Sequence, residues 1–250
     1  MSLIIREIKV KSVLSKSRIP GIDYCVNPYT GCSHACRYCY ATFMKRYTGH
    51  TEAWGDFVDV KINAPEILRK QIKRTTRGNI IISSVTDAYQ PVEAKYKLTR
   101  QCLEVLLPYQ FPIDILTKSP LVLRDIGLIK QFKNREVGIT ITTDNEEIRK
   151  VFEPHASSIH ARISALKALR NNGISVYTFI GPVLPMNPEA LLEKINPYVD
   201  SVLIDRMNYT AKTFKIYESM GLSKWLDNGF VDDIIRRLRV GFAGKPVSIC

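Results

Sequence analysis

The sequence contains no apolar run approaching the length of a membrane span, so it offers no candidate for a transmembrane helix. It opens Met1-Ser-Leu-Ile-Ile-Arg-Glu, without the cationic start, apolar stretch and small-residue cleavage site of a secretory signal. Six cysteines are scattered over 250 residues, which is no disulfide framework and points to a reducing, cytoplasmic setting. There is no low-complexity segment and no linker. Acidic residues are the scarcer charge: 24 Asp and Glu stand against 36 Lys and Arg, a net charge of +12. That excess favours an acidic partner, nucleic acid first, although a lysine-rich solvated surface gives the same number. Hydrophobic residues reach 45%, enough for a sizeable core, and the length suits one α/β barrel domain.

What is present is concentrated in one word, Gly31-Cys-Ser-His-Ala-Cys-Arg-Tyr-Cys-Tyr40. Cys32, Cys36 and Cys39 are spaced C-x3-C-x2-C, and no second cysteine pair follows to complete a tetrahedral site. A [4Fe–4S] cluster ligated wholly by cysteine needs four thiolates; three would leave one iron open for a small molecule. The amine and carboxylate of S-adenosylmethionine could fill that position. A structural zinc site using His34 as fourth ligand is the competing reading. It is disfavoured because Cys32 and His34 are only two residues apart, while such sites draw pairs from separated segments. Cys25, Cys102 and Cys250 read as small or incidental thiols.

Along the chain, β-branched runs alternate with helical patterns, which argues for βα units and a parallel sheet. Strands are predicted at Ile22–Asn27, Asn79–Thr86, Phe111–Thr117, Val137–Thr143, Ile174–Ile180 and Val199–Ile204. Helices are predicted from Asn63 as N-cap to a stop at Gly78, over Leu98–Leu107, and from Ser119-Pro120 to Phe132. Further helices are expected over Ser158–Asn171, Pro188–Ile195 and Ser223–Arg239. Six units predict an α/β fold, a partial (β/α)6 TIM-like barrel. One domain is expected over residues 1–250, with its core at about 22–205 and a helical C-terminal extension at about 206–250.

Active sites of such barrels lie at the C-terminal ends of the strands. There the sequence is polar: Ser83-Ser-Val-Thr-Asp-Ala-Tyr-Gln-Pro-Val-Glu93, Leu116-Thr-Lys-Ser119, Thr140 with Thr142, Thr143 and Asp144, and Gly181-Pro-Val-Leu-Pro185. Turn chemistry alone enriches such residues at strand ends, yet four consecutive strands share the feature. Thr86, Asp87, Lys118 and Thr142 are candidates to hold the polar groups of S-adenosylmethionine.

Taken together, the cysteine word, Val85-Thr-Asp-Ala-Tyr-Gln-Pro91 and Leu116-Thr-Lys-Ser119 resemble the radical S-adenosylmethionine superfamily. The likeness is to the branch containing spore photoproduct lyase and its prokaryotic relatives, from about Tyr24 to Asp205. The resemblance implies the partial barrel, a [4Fe–4S] cluster on Cys32, Cys36 and Cys39, and S-adenosylmethionine as cofactor. It implies contacts to that cofactor from Thr86 and Lys118, flanking catalytic tyrosines at Tyr38 and Tyr40, and an anion-binding role near the site for Arg162 in Glu153-Pro-His-Ala-(x5)-Arg162. A one-electron reductant such as ferredoxin or flavodoxin is the expected partner, and a monomer is the expected state. One position departs: Val85 falls where the lyase carries its hydrogen-donating cysteine, so that relay is unavailable here.

The substrate is left open between nucleic acid, which the charge favours, and a protein or small acidic metabolite. Tyr29, Tyr40, Phe43 and Trp54, with the helix bearing Arg236, Arg237 and Arg239, are the candidates to meet exposed bases. A non-catalytic iron–sulfur or zinc protein that binds nucleic acid is the remaining alternative.

Overall fold

Apolar β-branched runs form strands wherever both of their faces are covered, and those strands build the larger of two sheets. The computed structural model describes residues 3–250. In chain order the strands are β1 Ile4–Ile8, β2 Leu14–Lys16, β3 Tyr24–Val26, β4 Tyr29–Thr30, β5 Phe57–Lys61 and β6 Ile80–Ile82. There follow β7 Ile113–Thr117, β8 Arg135–Thr140, β9 Ser175–Ile180, β10 Ser201–Ile204 and β11 Val247–Ile249. The main sheet has the order β11-β10-β9-β8-β7-β6-β3-β2. Every pair in it is parallel except β2 with β3. β3 and β6 to β10 are the six barrel strands, in sequence order and unclosed, so the fold is the expected partial (β/α)6 barrel. Residues Ile80, Ile82 and Ile115 are fully buried beneath the helices, each contributing about 1.5–3 kcal/mol of hydrophobic stabilisation.

Helix boundaries follow local chemistry. Ser158, Asn187 and Asp227 each accept a hydrogen bond from a main-chain N–H of the first helical turn, at 3.2, 3.1 and 2.7 Å. Asn172 and Gly173, the latter at φ +70, close the helix Ile159–Asn171 as expected. Asn63 behaves differently: its side chain makes no cap but bonds both N–H and C=O of Val10 at 2.9 Å. The expected helix from Ser119 is a 3-10 turn, Pro120–Asp125, followed by a single helical turn at Ile126–Ile129. The expected tail helix is interrupted at Asp227, which ends one segment and caps the next, Asn228–Gly241.

Several elements escape the sequence pattern. β1, β5 and β4 form a small separate sheet, and helices occur at Glu146–Phe152 and Thr210–Ser219. The segment expected as a purely helical extension ends in β11, which pairs parallel with β10. No helix among the described residues is long and apolar enough to cross a membrane.

A buried polar cluster joins the small sheet to the barrel. The fully buried Glu93 accepts from the Tyr29 hydroxyl at 2.5 Å, the Thr99 N–H at 2.9 Å and Arg124 at 2.6 Å. Arg124 also reaches Asp125 at 2.7 Å, which Arg100 meets at 2.8 Å. Truncating Glu93 leaves the Tyr29 hydroxyl and one face of Arg124 unpaired. We expect Glu93→Ala to lower the unfolding free energy by about 3–5 kcal/mol, read as a shift of the urea midpoint; a loss under about 1 kcal/mol would show the cluster to be dispensable.

Candidate active site

The cysteine loop leaves β4 through Gly31, at φ +86, where a Cβ would lie 2.4 Å from the Phe57 carbonyl oxygen. Only glycine fits there. The loop is then clamped from three directions. Gln90, fully buried, accepts from the Ser33 N–H at 2.9 Å and donates to the Gly31 carbonyl at 3.1 Å and the Thr86 hydroxyl at 2.8 Å. Thr86 donates in turn to the Gly31 carbonyl at 2.6 Å. From the far side Lys212 donates to the Cys39 carbonyl at 2.7 Å, and the Arg37 N–H to the Phe152 carbonyl at 2.9 Å.

Cys32, Cys36 and Cys39 line one cavity of about 370 Å³, shared with Tyr38, Tyr40, Thr86, Asp87 and Lys118. Burial pushes all three thiols up, Cys36 to about 12. His34, the alternative zinc ligand, has its Nδ1 3.5 Å from Asp87, and burial lowers its pKa. Among the described residues, no three His, Cys, Asp or Glu side chains converge closely enough to hold a single ion.

Behind this wall stands Glu153, fully buried and absent from the residues expected from sequence. It accepts from the Tyr38 hydroxyl and from Thr142 at 3.1 Å, and forms an ion pair with the Arg162 guanidinium at 2.5 Å. The Lys118 ammonium lies 4.0 Å from it and 5.7 Å from the Tyr38 ring centroid. Burial opposes ionisation of Glu153, but Arg162 and Lys118 outweigh it and hold the carboxyl down from its ordinary 4.5 to about 2. Burial likewise opposes the charge on Lys118, and Cys36 and Glu153 more than restore it.

Eight of the ten site residues expected from sequence therefore meet in one cavity. The other two lie outside its lining. Arg162 is fully buried, its guanidinium committed to Glu153 and to the carbonyls of Ser157 at 2.9 Å and Thr140 at 3.1 Å. Thr142 gives its hydroxyl to Glu153. Neither lines the cavity, so both act from behind it. Asp87 lines it, but accepts from the Thr117 hydroxyl at 2.6 Å, the Lys118 N–H at 2.8 Å and the Tyr89 N–H at 2.8 Å; it holds the two strand ends together. Gln90 and Glu153 were both visible in quoted words, yet nothing in their spacing marks them as buried connectors. Cys250, expected to be incidental, lines the cavity at its outer side, whereas Cys102 is fully buried on the helix Leu98–Leu106. Of the expected stacking aromatics, Tyr29 is fully buried against Glu93 and Trp54 packs edge-on against Phe57 at 5.8 Å. Tyr40 and Phe43 remain exposed.

Residues 26–196 match the family model of the Radical SAM superfamily. The chain belongs to that superfamily. Among its relatives, the uncharacterized protein MJ0683 of Methanocaldococcus jannaschii is 41% identical over 215 residues, covering 84% of this chain and 81% of that protein. An uncharacterized protein of Mycobacterium tuberculosis is 32% identical over 191 residues, 72% of this chain but 56% of its own length. A protein of Pseudomonas phage M6, named as a radical SAM Nalpha-GlyT isomerase, is 27% identical over 161 residues, 63% of this chain and 32% of the phage protein. In fold, this radical SAM protein is similar to spore photoproduct lyase complexed with dinucleoside spore photoproduct, at TM-score 0.69, 12% identity and coverage of 98% and 82% of the two chains. Streptococcus suis SuiB bound to its precursor peptide SuiA gives TM-score 0.58 at 14% identity, over 90% and 48%.

The Glu153–Arg162 pair sets a pH dependence. A carboxyl whose pKa falls on folding stabilises the protein above its unfolded value and loses that contribution as pH drops through the folded value. We expect Glu153→Gln to destabilise by about 3–5 kcal/mol at neutral pH, because Arg162 stays buried without its counter-charge. The gap to the parent should narrow as pH falls from 4.5 toward about 2. Urea midpoints across that range test it, and a gap independent of pH would contradict the ionised pair.

Proposed function

We propose that Cys32, Cys36 and Cys39 hold a [4Fe–4S] cluster whose open iron takes S-adenosylmethionine, and that the enzyme removes a hydrogen atom from a substrate seated in the same cavity. The observation that carries this reading is the donor set: three thiols along one cavity wall, Cys32 buried and Cys36 and Cys39 half-buried, with cationic and hydroxylic strand ends beside them. Bound together, the two groups supply a carbon radical by one-electron cleavage of the sulfonium bond. The chain's own residues bind and orient. Lys118, its charge maintained by Cys36 and Glu153, is the partner for a carboxylate. Thr86 offers a hydroxyl oxygen, and Tyr38, fixed by Glu153, sets the floor beneath Lys118. Ferredoxin or flavodoxin would deliver the electron, in a cytoplasm that keeps the thiols reduced. Val85 lines the cavity where a thiol relay would need a cysteine, so repair of spore photoproduct is not part of the reading.

Nucleic acid is the substrate class that the surface favours. The 3-10 helix Tyr40–Tyr47 starts at the cavity and exposes Tyr40, Phe43 and Tyr47, with the Arg46 guanidinium 5.5 and 4.8 Å from the last two ring centroids. Tyr209 and Phe214 expose further rings nearby in sequence to Lys212, which grips the cysteine loop. Aromatic faces interleaved with cations suit unpaired bases and their phosphates. The arginines of the last helix support this less, since Arg236 and Arg237 are paired with Asp233 and Glu189.

Anaerobic reconstitution should yield about four irons and about four sulfides per chain, lost in a triple Cys→Ala variant; stoichiometric zinc without sulfide would overturn the cluster. With a strong reductant the protein should release 5′-deoxyadenosine and methionine, and Lys118→Ala should weaken S-adenosylmethionine binding by about tenfold or more. Unchanged affinity in both Lys118→Ala and Thr86→Ala would refute the assignment of these strand ends.

For the substrate class, log affinity for oligonucleotides should fall against log salt with a slope of about 0.7 per phosphate on single strands and about 0.9 on duplex. Binding absent at low salt, or insensitive to salt, would favour a peptide or small acidic metabolite.

A further inference from the structure

Alternate residues of the barrel strands face inward, and in a filled barrel those positions carry bulky branched side chains. The foot of this barrel is built otherwise. On β7 and β8 the register places Asp114 beside Glu136, and on β6 it places Ile81 beside Asp114. From β9 the Tyr177 hydroxyl donates to Asp114 at 2.9 Å. Its ring lies over Gly138, where a Cβ would sit 2.2 Å from the phenol carbon. Glycine at that point is what lets the ring cross the lumen.

Asp114 lines both the cavity that holds the three cysteines and a groove at the opposite end of the strands. Its carboxylate therefore stands in the partition between them. The groups acting on it are Tyr177, Glu136 and its neighbour's backbone, with no cation among them; burial, and secondarily Glu136, raise its carboxyl to about 7. Higher in the same cavity wall Ser83 is 5% exposed, its hydroxyl has no hydrogen-bond partner, and its backbone is held at φ +70. A chain of net charge +12 thus keeps an uncompensated acid and an unpaired hydroxyl inside its own site.

We propose that the barrel floor recognises an amino group of the substrate, with Asp114 as the acceptor and Tyr177 as the residue that positions it. The inference rests on the reading of this cavity as the substrate chamber. A carboxylate offers about four lone-pair directions, and Tyr177 occupies one. An N–H donor entering from the cysteine end meets an acceptor already oriented, whereas a carbonyl in the same place meets like partial charge. Sites built this way reject the analogue that lacks the donor. The same chemistry is offered by an alkylammonium group and by the exocyclic amine of a base such as cytosine, whose amino group is read by carboxylates elsewhere.

Two matched pairs of probes separate those sources: n-butylammonium against n-butanol, and cytidine against uridine, titrated into anaerobically reconstituted protein by ligand-observed NMR. At least one amine should bind on the order of tenfold more tightly than its oxygen partner, as expected for a hydrogen bond to a charged acceptor. Asp114→Asn should erase that preference. Tyr177→Phe, which keeps the carboxyl but removes its positioning bond and a contact that holds its pKa down, should weaken the preference without erasing it, and melting curves for both variants report whether the fold is intact. A response from the first pair identifies an alkyl amine, and from the second a base amine. No preference in either pair, or a preference that survives Asp114→Asn, overturns the proposal. Iron content and 5′-deoxyadenosine release are read on the same samples, so failure of the cofactor reading is seen separately from failure at the floor.

Discussion

Everything around the cysteine loop leans on one buried ion pair, Glu153 with Arg162. Two opposite charges out of water are tolerable only when geometry is close and the remaining lone pairs are filled. Here the pair is at 2.5 Å, and Tyr38 and Thr142 donate to the same carboxylate. The consequence reaches the cavity by two routes. Tyr38 belongs to the cysteine loop, so its hydroxyl bond to Glu153 fixes the loop against the end of the helix Glu146–Phe152. Lys118 belongs to the third barrel strand's end, and the carboxylate's charge helps keep its ammonium ionised although buried. Removing the acid would take away the loop's Tyr38 anchor and one of the groups that favour the charge on Lys118.

The remaining connectors follow the same logic of joining loop to strand end. Gln90 spans Ser33, Gly31 and Thr86 with its one amide, using acceptor and donors at once. Asp87 ties the turn after β6 to Thr117 and Lys118. The loop has no regular secondary structure of its own to define its shape, so side-chain bonds do it instead, from the turn after β6, from Glu153 at the end of the helix Glu146–Phe152 and from Lys212 on the helix Thr210–Ser219. Such a loop is rigid where thiols must be presented. The cavity's outer side, by contrast, carries exposed rings at Tyr40 and Tyr209. A fixed wall with an accessible rim is what a bound cofactor and a variable substrate would each require.

How much of this was legible in the sequence depends on what each residue touches. The barrel strands were readable because both faces are covered and their apolar runs show it, as in Ile80-Ile-Ile82. The expected strand Asn79–Thr86 overruns β6 because Val85 and Thr86 are β-branched, while Ser83 turns the chain at φ +70. β1 is exposed along most of its length. β5 holds a buried Asp59 paired with Arg6 and His50, so neither strand carries a clean apolar signature. At the site, the residues expected within one local word, Cys32, Cys36, Tyr38, Cys39 and Tyr40, come together in the cavity. Arg162 and Thr142 were assigned to the cavity yet stand behind it, because spacing along a chain does not say which of two layers a polar side chain enters. Glu153 was passed over for the same reason: only its three-dimensional neighbours show that Arg162 serves it.

The charge distribution carries the argument one step further. Cations dominate the chain as a whole, and aromatic rings with Arg46 lie outside the cavity, where phosphate would be met first. Inside, the sign changes with depth. Lys118 lies near the thiols, whereas Asp114, facing the acidic Glu136, is at the foot of the strands. A ligand bearing an anion would be held at the surface and by Lys118, and could lower into the lumen only a part that is neutral or donates protons. Gly138 yields its side-chain volume to the Tyr177 ring, which spans the foot of the lumen and meets Asp114. Specificity in this barrel is therefore expected to reside at the bottom, in a carboxylate and a phenol, below the wall that presents the three thiols.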